Sequence, residues 1–136
     1  MADRYVLDAF ALLALVGDEA GGEEVAAILQ EASAELFISA INLGEVYYIL
    51  RRRRGQGAAR ELESRAFRQP NLRVVEPMWD RVRAAAGIKA VGGMSFADAF
   101  AAALAQELSA VLLTGDPEFE PLARSGTLQV AWLGRV

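Results

Sequence analysis

The chain contains no histidine and no cysteine. The first absence removes the usual imidazole base and the usual ligands of zinc and copper. The second removes disulfides and thiol chemistry. No apolar run approaches the ~20 residues that a membrane span needs, so no membrane partner is expected. The N-terminus lacks a basic segment followed by a long apolar one, so no signal peptide is expected either. Lysine is nearly missing, Lys89 being the only one. Any catalysis must therefore use carboxylates, hydroxyls, amines or a metal held by oxygen. Absent targeting signals and absent cysteines together point to the cytoplasm.

The 136 residues, 54% of them hydrophobic, suffice for one domain with a full core, taken as residues 1–136. A net charge of -4 argues against a general nucleic-acid coat. The distribution says more. Arg51 to Lys89 holds 11 of the 14 basic residues and 4 of the 18 acids, a local balance of +7 against -11 elsewhere. A basic middle beside an acidic body suggests an anionic partner.

Periodicity divides the chain into alternating strands and helices. Arg4–Leu7 reads as a strand, followed by a short helix stopped at Gly17. Glu23–Ala34 reads as a second helix and Leu36–Ile38 as a buried strand. Ser39 caps a third helix that runs into Arg51–Arg54 and stops at Gly55. Gln56–Phe67 is a fourth helix and Leu72–Val75 a third strand. Pro77 opens a fifth helix with Trp79 and Val82 packed inward. Ser95 opens an alanine-rich sixth, with Phe100, Ala101 and Leu104 on one apolar face. Ala110–Leu113 is an apolar run without alternation, as in a strand covered on both sides. Glu118–Arg124 is a short helix and Leu128–Trp132 a last strand. Strands alternating with helices imply an α/β fold, a parallel doubly wound sheet with helices on both faces.

In such sheets ligands bind beyond the carboxyl ends of the strands. Asp8 ends the first strand and Asp116 follows the fourth. Asp98 opens the helix leading into that fourth strand. Glu45 lies early in the third helix, on one stripe with Ser39 and Asn42 at intervals of three. Two of these acids have local explanations. Ser95 and Asp98 have capping-box spacing, and Asp116 before Pro117 looks like an N-cap. Glu45 caps nothing. Four carboxylates on one rim would raise one another's pKa values. A hard cation, Mg²⁺ or Mn²⁺, resolves that conflict with oxygen ligands alone and activates water against a phosphate.

The segments YVLDAFALLAL (Tyr5–Leu15), SAINLGEVYYIL (Ser39–Leu50), SFADAFAAALA (Ser95–Ala105) and LLTGDPEF (Leu112–Phe119) occur in an order and spacing that resembles PIN domains. Within them the likeness is specifically to the VapC-like toxins of toxin–antitoxin pairs. The resemblance runs along essentially the whole chain. It implies a single PIN-like domain with a five-stranded parallel sheet, and a Mg²⁺- or Mn²⁺-dependent endoribonuclease, often a homodimer, neutralised by a cognate antitoxin protein. The family's acids carry over to Asp8, Glu45, Asp98 and Asp116, as metal-holding catalytic residues. The hydroxyl that members carry two residues before the last aspartate falls on Thr114. Ser39, Asn42 and Thr114 are then expected to support the acids. One departure is visible: Ala9 and Phe10 stand where many members have Thr or Ser. Glu118 and Glu120 could supply a further outer ligand, although first-turn acids are also favoured by the helix dipole.

An acidic pocket that takes RNA needs basic flanks. Arg51, Arg52, Arg53 and Arg54 end the helix that carries Glu45 and are candidate phosphate contacts. Arginines at a helix C-terminus also suit the dipole. Tyr47, Tyr48 and Ile49 give that helix more apolar directions than one sheet can cover, which would suit a dimer or an antitoxin helix. A catalytically silent module that binds RNA or a partner through the same fold is the alternative, and the four intact acids speak against it. A receiver-type phosphoryl-transfer domain would want a paired Asp beside the first strand and a late Lys. Asp3 and Lys89 fit neither position.

Overall fold

The computed structural model describes residues 3–135. In chain order the elements are β1 (Asp3–Leu7), α1 (Ala9–Val16), α2 (Gly22–Leu29), β2 (Ala34–Ser39), α3 (Ala40–Arg54), α4 (Gln56–Arg68), β3 (Leu72–Val75), α5 (Trp79–Val91), α6 (Phe96–Leu108), β4 (Val111–Thr114), a 3-10 turn (Pro117–Phe119), α7 (Glu120–Arg124) and β5 (Val130–Trp132). The strands make one sheet in the order β3-β2-β1-β4-β5, every neighbouring pair parallel. The expected α/β architecture is therefore present, with five strands. The chain winds outward from β1 in one direction through β2 and β3, then returns to the other side of β1 as β4. The reversal opens a crevice at the carboxyl ends of β1 and β4.

Successive strand residues point to opposite faces, and the two cores follow from that. Leu7 and Leu113 face one way, into a core with Leu12, Val25, Val46 and Leu62. Val6 and Leu112 face the other way, against Phe100, Leu104 and Phe119. Burying both faces of the central strands explains their apolar runs. The alanines of α6 are consumed by contact: Ala99, Ala101, Ala102, Ala103 and Ala105 are all buried. Side chains this small let the helix axis lie close to the sheet. Gly55 ends α3 at φ 92°, a left-handed backbone that glycine adopts without steric cost.

Several boundaries differ from the sequence expectation, among them the span Glu118–Arg124, which is a 3-10 turn over Pro117–Phe119 followed by α7. The second helix stops at Leu29 rather than Ala34. The Asn71 amide donates to the carbonyls of Leu29, Glu31 and Ala34, closing a turn there. Ala34 is drawn into β2 opposite Asp3. The fifth helix begins at Trp79, because Met78 is extended and caps it. Trp79 is 65% exposed and not packed inward. β5 is shorter than Leu128–Trp132, and Leu128 is instead buried in the core ahead of it. No single helix among the described residues is long and apolar enough to cross a membrane.

Candidate functional site

The register of the central strands builds the site. Leu7 is paired with Leu113, so the next residues, Asp8 and Thr114, emerge side by side at the crevice. The Thr114 hydroxyl donates to Asp8 Oδ2, and Ala11 N donates to Asp8 Oδ1 at 2.9 Å. Thr114 Oγ1 also accepts from Asp116 N at 3.0 Å. One hydroxyl thus links the ends of β1 and β4. Asp8 is 1% exposed. Burial pushes its carboxyl up to about 7, against the stabilising Thr114 and Ala11 donors, with smaller contributions from the charges of Asp116 and Glu45.

Asp98 sits in the first turn of α6, its backbone N–H donating to Ser95 Oγ at 3.1 Å. The cap is supplied by the Ser95 hydroxyl, so the Asp98 side chain remains available for another role. Burial raises its pKa to about 7, reinforced by the Glu118 carboxyl within hydrogen-bonding reach and by the charges of Asp116 and Asp8. Asp116 also caps, accepting from Glu118 N at 2.9 Å. Asp98, Asp116 and Glu118 each present one oxygen, all within 4.8 Å of one another. Glu118 therefore stands nearer the centre than sequence reasoning set it. Its signal was position: two residues after a capping Asp, a first-turn acid turns back toward the same crevice. Glu120 is engaged elsewhere, paired with Arg124 and Arg135.

Glu45 approaches from α3. Burial raises its pKa, the Asn42 amide lowers it, and the Asp116 charge raises it. Its Oε1 is buried without a hydrogen-bond partner. Asn42 is fully buried, and its Nδ2 donates to Ala97 O at 3.0 Å. That bond fixes the amide orientation and ties the start of α3 to the first turn of α6. Asn42 Oδ1 is left buried and without a partner. Ser39 caps α3 by accepting from Ile41 N at 3.2 Å, and lines a recess with Val75, Arg81 and Phe100. The arginine run lies at the far end of α3, ~9 to ~14 Å along the axis from Glu45 at ~1.5 Å per residue. Its four residues are exposed and, among the described residues, form no ion pair. Arg52 lies over the Tyr48 ring at 5.1 Å.

The donor set suits a hard divalent cation. Every candidate ligand is oxygen, three carboxylates converge, and two further buried acceptors flank them without donors. Without positive charge, two of the acids retain protons close to neutral pH.

The sequence profile of the PIN domain matches residues 5–125. No curated protein matches the chain. Several solved structures do. The VapC20 toxin of Mycobacterium tuberculosis, described as cleaving the sarcin–ricin loop, is 21% identical, with a TM-score of 0.72, over 86% of this chain and 93% of that one. VapBC-1 of nontypeable Haemophilus influenzae is 21% identical, TM-score 0.68, over 95% and 97%. PAE2754 of Pyrobaculum aerophilum is 24% identical, TM-score 0.61, over 96% and 90%.

Proposed function

This chain belongs to the PIN-domain family, and from that premise we propose that it is a Mg²⁺- or Mn²⁺-dependent endoribonuclease acting as the toxin of a toxin–antitoxin pair. The observation that carries the proposal is the meeting of Asp8, Glu45, Asp98 and Asp116, with Glu118, at the reversal of the sheet. Five carboxylates there answer no core-packing need, and burial, with a smaller part from neighbouring charges, makes ionising Asp8, Glu45 and Asp98 costly without a cation. Asp98, Asp116 and Glu118 would hold the ion, with Asp8 and Glu45 completing the anionic wall. When bound, a divalent cation supplies an activated water and neutralises charge developing on the phosphate.

The chain's own residues do the rest. Thr114 holds Asp8 and the Asp116 backbone in one register. Asn42 holds Glu45's helix against the helix of Asp98. Glu45, with its unpartnered Oε1, is suited to orient a water by accepting its proton. Arg51 to Arg54 are suited to phosphates of a strand continuing along α3, where they position without reading sequence.

An antitoxin partner has a candidate seat. A cavity of about 240 Å³ opens between α1, α2 and α4, lined by Leu12, Leu15, Val16, Leu29, Leu62 and Ala66. Its apolar floor is suited to a helix of the partner. A second copy of the chain is the proposed cover for Tyr48, which stands exposed on α3.

The test is cleavage of total RNA by antitoxin-free protein with Mg²⁺, Mn²⁺ or a chelator, alongside Asp98→Asn. Discrete fragments that need the metal and vanish in the variant support the proposal. A folded, metal-binding protein that cuts none of several RNA pools would favour the silent binding module. Absence of metal binding removes the site.

A further inference from the structure

Phe10 is a large apolar residue that the sheet does not bury: it is 39% exposed. It lies two residues after Asp8, in the first turn of α1. Its ring rests on Gly115, the residue between Thr114 and Asp116. A Cβ on Gly115 would lie 2.4 Å from two atoms of the Phe10 ring. Gly115 does not have a positive φ, so its glycine is explained by space and not by backbone conformation. The ring thus sits on the rim between the Asp8 and Asp116 segments, against Gly115 and partly exposed to solvent. Exposed aromatics are ordinary on a folded surface; what sets Phe10 apart is its seat on Gly115 between Thr114 and Asp116.

Resting on the nuclease reading above, we propose that Phe10 is a stacking platform for an unpaired nucleobase adjoining the phosphate held by the acids. A flat ring fixed beside a phosphate-directed site matches the π-face that every base presents, and single-stranded RNA is bound largely through such stacking. A duplex keeps its bases stacked on one another and offers no face to the ring. The platform therefore selects for an unstacked nucleotide at the cut without choosing among the four bases. It is a property of this chain's own sequence, since aromatic Phe10 occupies a position where a hydroxyl residue would offer no platform.

The test uses a short single-stranded RNA carrying a cut site mapped with the wild-type protein, and versions with one abasic nucleotide on either side of the cut. Phe10→Ala and Phe10→Leu should lower kcat/KM about ten- to a hundredfold, while Phe10→Trp retains activity. Leucine preserves the packing on Gly115 but has no ring, so equal activity of Phe10→Leu and wild type would overturn the proposal. One abasic version should be cut by wild type as slowly as Phe10→Ala cuts the intact RNA, and should slow Phe10→Ala no further. Equal cutting of intact and abasic RNA by wild type would also reject stacking, with the nuclease left standing. Binding is read separately in Phe10→Trp combined with Asp98→Asn, using Asp98→Asn as the blank for Trp79 and Trp132. Fluorescence should be quenched by the intact RNA and not by the abasic one. If no RNA is cut at all, the nuclease reading falls and this titration still decides the stacking. Phe10 variants that change self-association or antitoxin binding while leaving cleavage intact would assign the ring to a protein interface instead.

Discussion

The absence of histidine makes one prediction unusually clean. Between pH 5 and about pH 7.5 no imidazole titrates in this chain, so only displaced carboxyls change charge there. Asp8 has its pKa raised from 3.8 to about 7, chiefly by burial. A raised carboxyl means that the folded state holds a proton which the unfolded chain has already released. The associated stability is fully present below about pH 4 and is lost as pH rises to about 7. A shift of that size is worth on the order of a few kcal/mol, most of it lost between pH 5 and pH 8. That is a large share of the ~5 to ~15 kcal/mol typical of a domain. Asp98 adds to it with the same sign, discounted because it is only half-buried. A divalent cation reverses the trend, since it binds the ionised acids. At a hundred times its Kd it would return about 2.7 kcal/mol. The assay is urea unfolding followed by circular dichroism at pH 5 and pH 8, with chelator and with Mn²⁺. Chelated wild type should be the less stable at pH 8, Mn²⁺ should recover most of the difference, and Asp8→Asn should flatten it. A chelated wild type equally stable at both pH values, or an Asp8→Asn profile as steep as wild type, would refute the reasoning.

Thr114→Val removes the hydroxyl shared by Asp8 and Asp116 N. It should cost about 1–3 kcal/mol in urea unfolding, with Thr114→Ser restoring most of it. Asn42→Ala breaks the clamp on Ala97 O; isothermal titration should show weaker Mn²⁺ binding, while circular dichroism stays native. Gly115→Ala drives a methyl into the Phe10 ring and should lower the unfolding midpoint, with Phe10→Ala added to it recovering part of the loss. Replacing Arg51 to Arg54 by Gln in the Asp98→Asn background should flatten the salt dependence of RNA binding by about 0.7 in log–log slope for each phosphate no longer neutralised; an unchanged slope would remove the run from the RNA path.

Much of the fold is local in origin and could be read from the chain. Ser39 and Ser95 cap the helices that follow them, Gly55 stops α3, and Leu72–Val75 is the strand that its pattern foretold. The misses have two sources, a distant residue in one case and an unread local turn in the other. Ala34 looks like the end of a helix until Asn71, far along the chain, ties off the turn before it. Trp79 looks like a core residue, but the turn at Met78 leaves it outside.

The same division holds at the site. The absence of histidine and cysteine, the acids at the ends of apolar runs, and the helix caps were settled by the sequence, because composition and short-range hydrogen bonding need no partner from elsewhere. The winding that sets β4 beside β1, and the register that sets Thr114 beside Asp8, belong to the tertiary structure alone. So do the turn that brings Glu118 to Asp98 and the seating of Phe10 on Gly115. These contacts join residues up to 106 positions apart. A chain's periodicity fixes which face a residue occupies, but only the packed sheet decides which other face it meets.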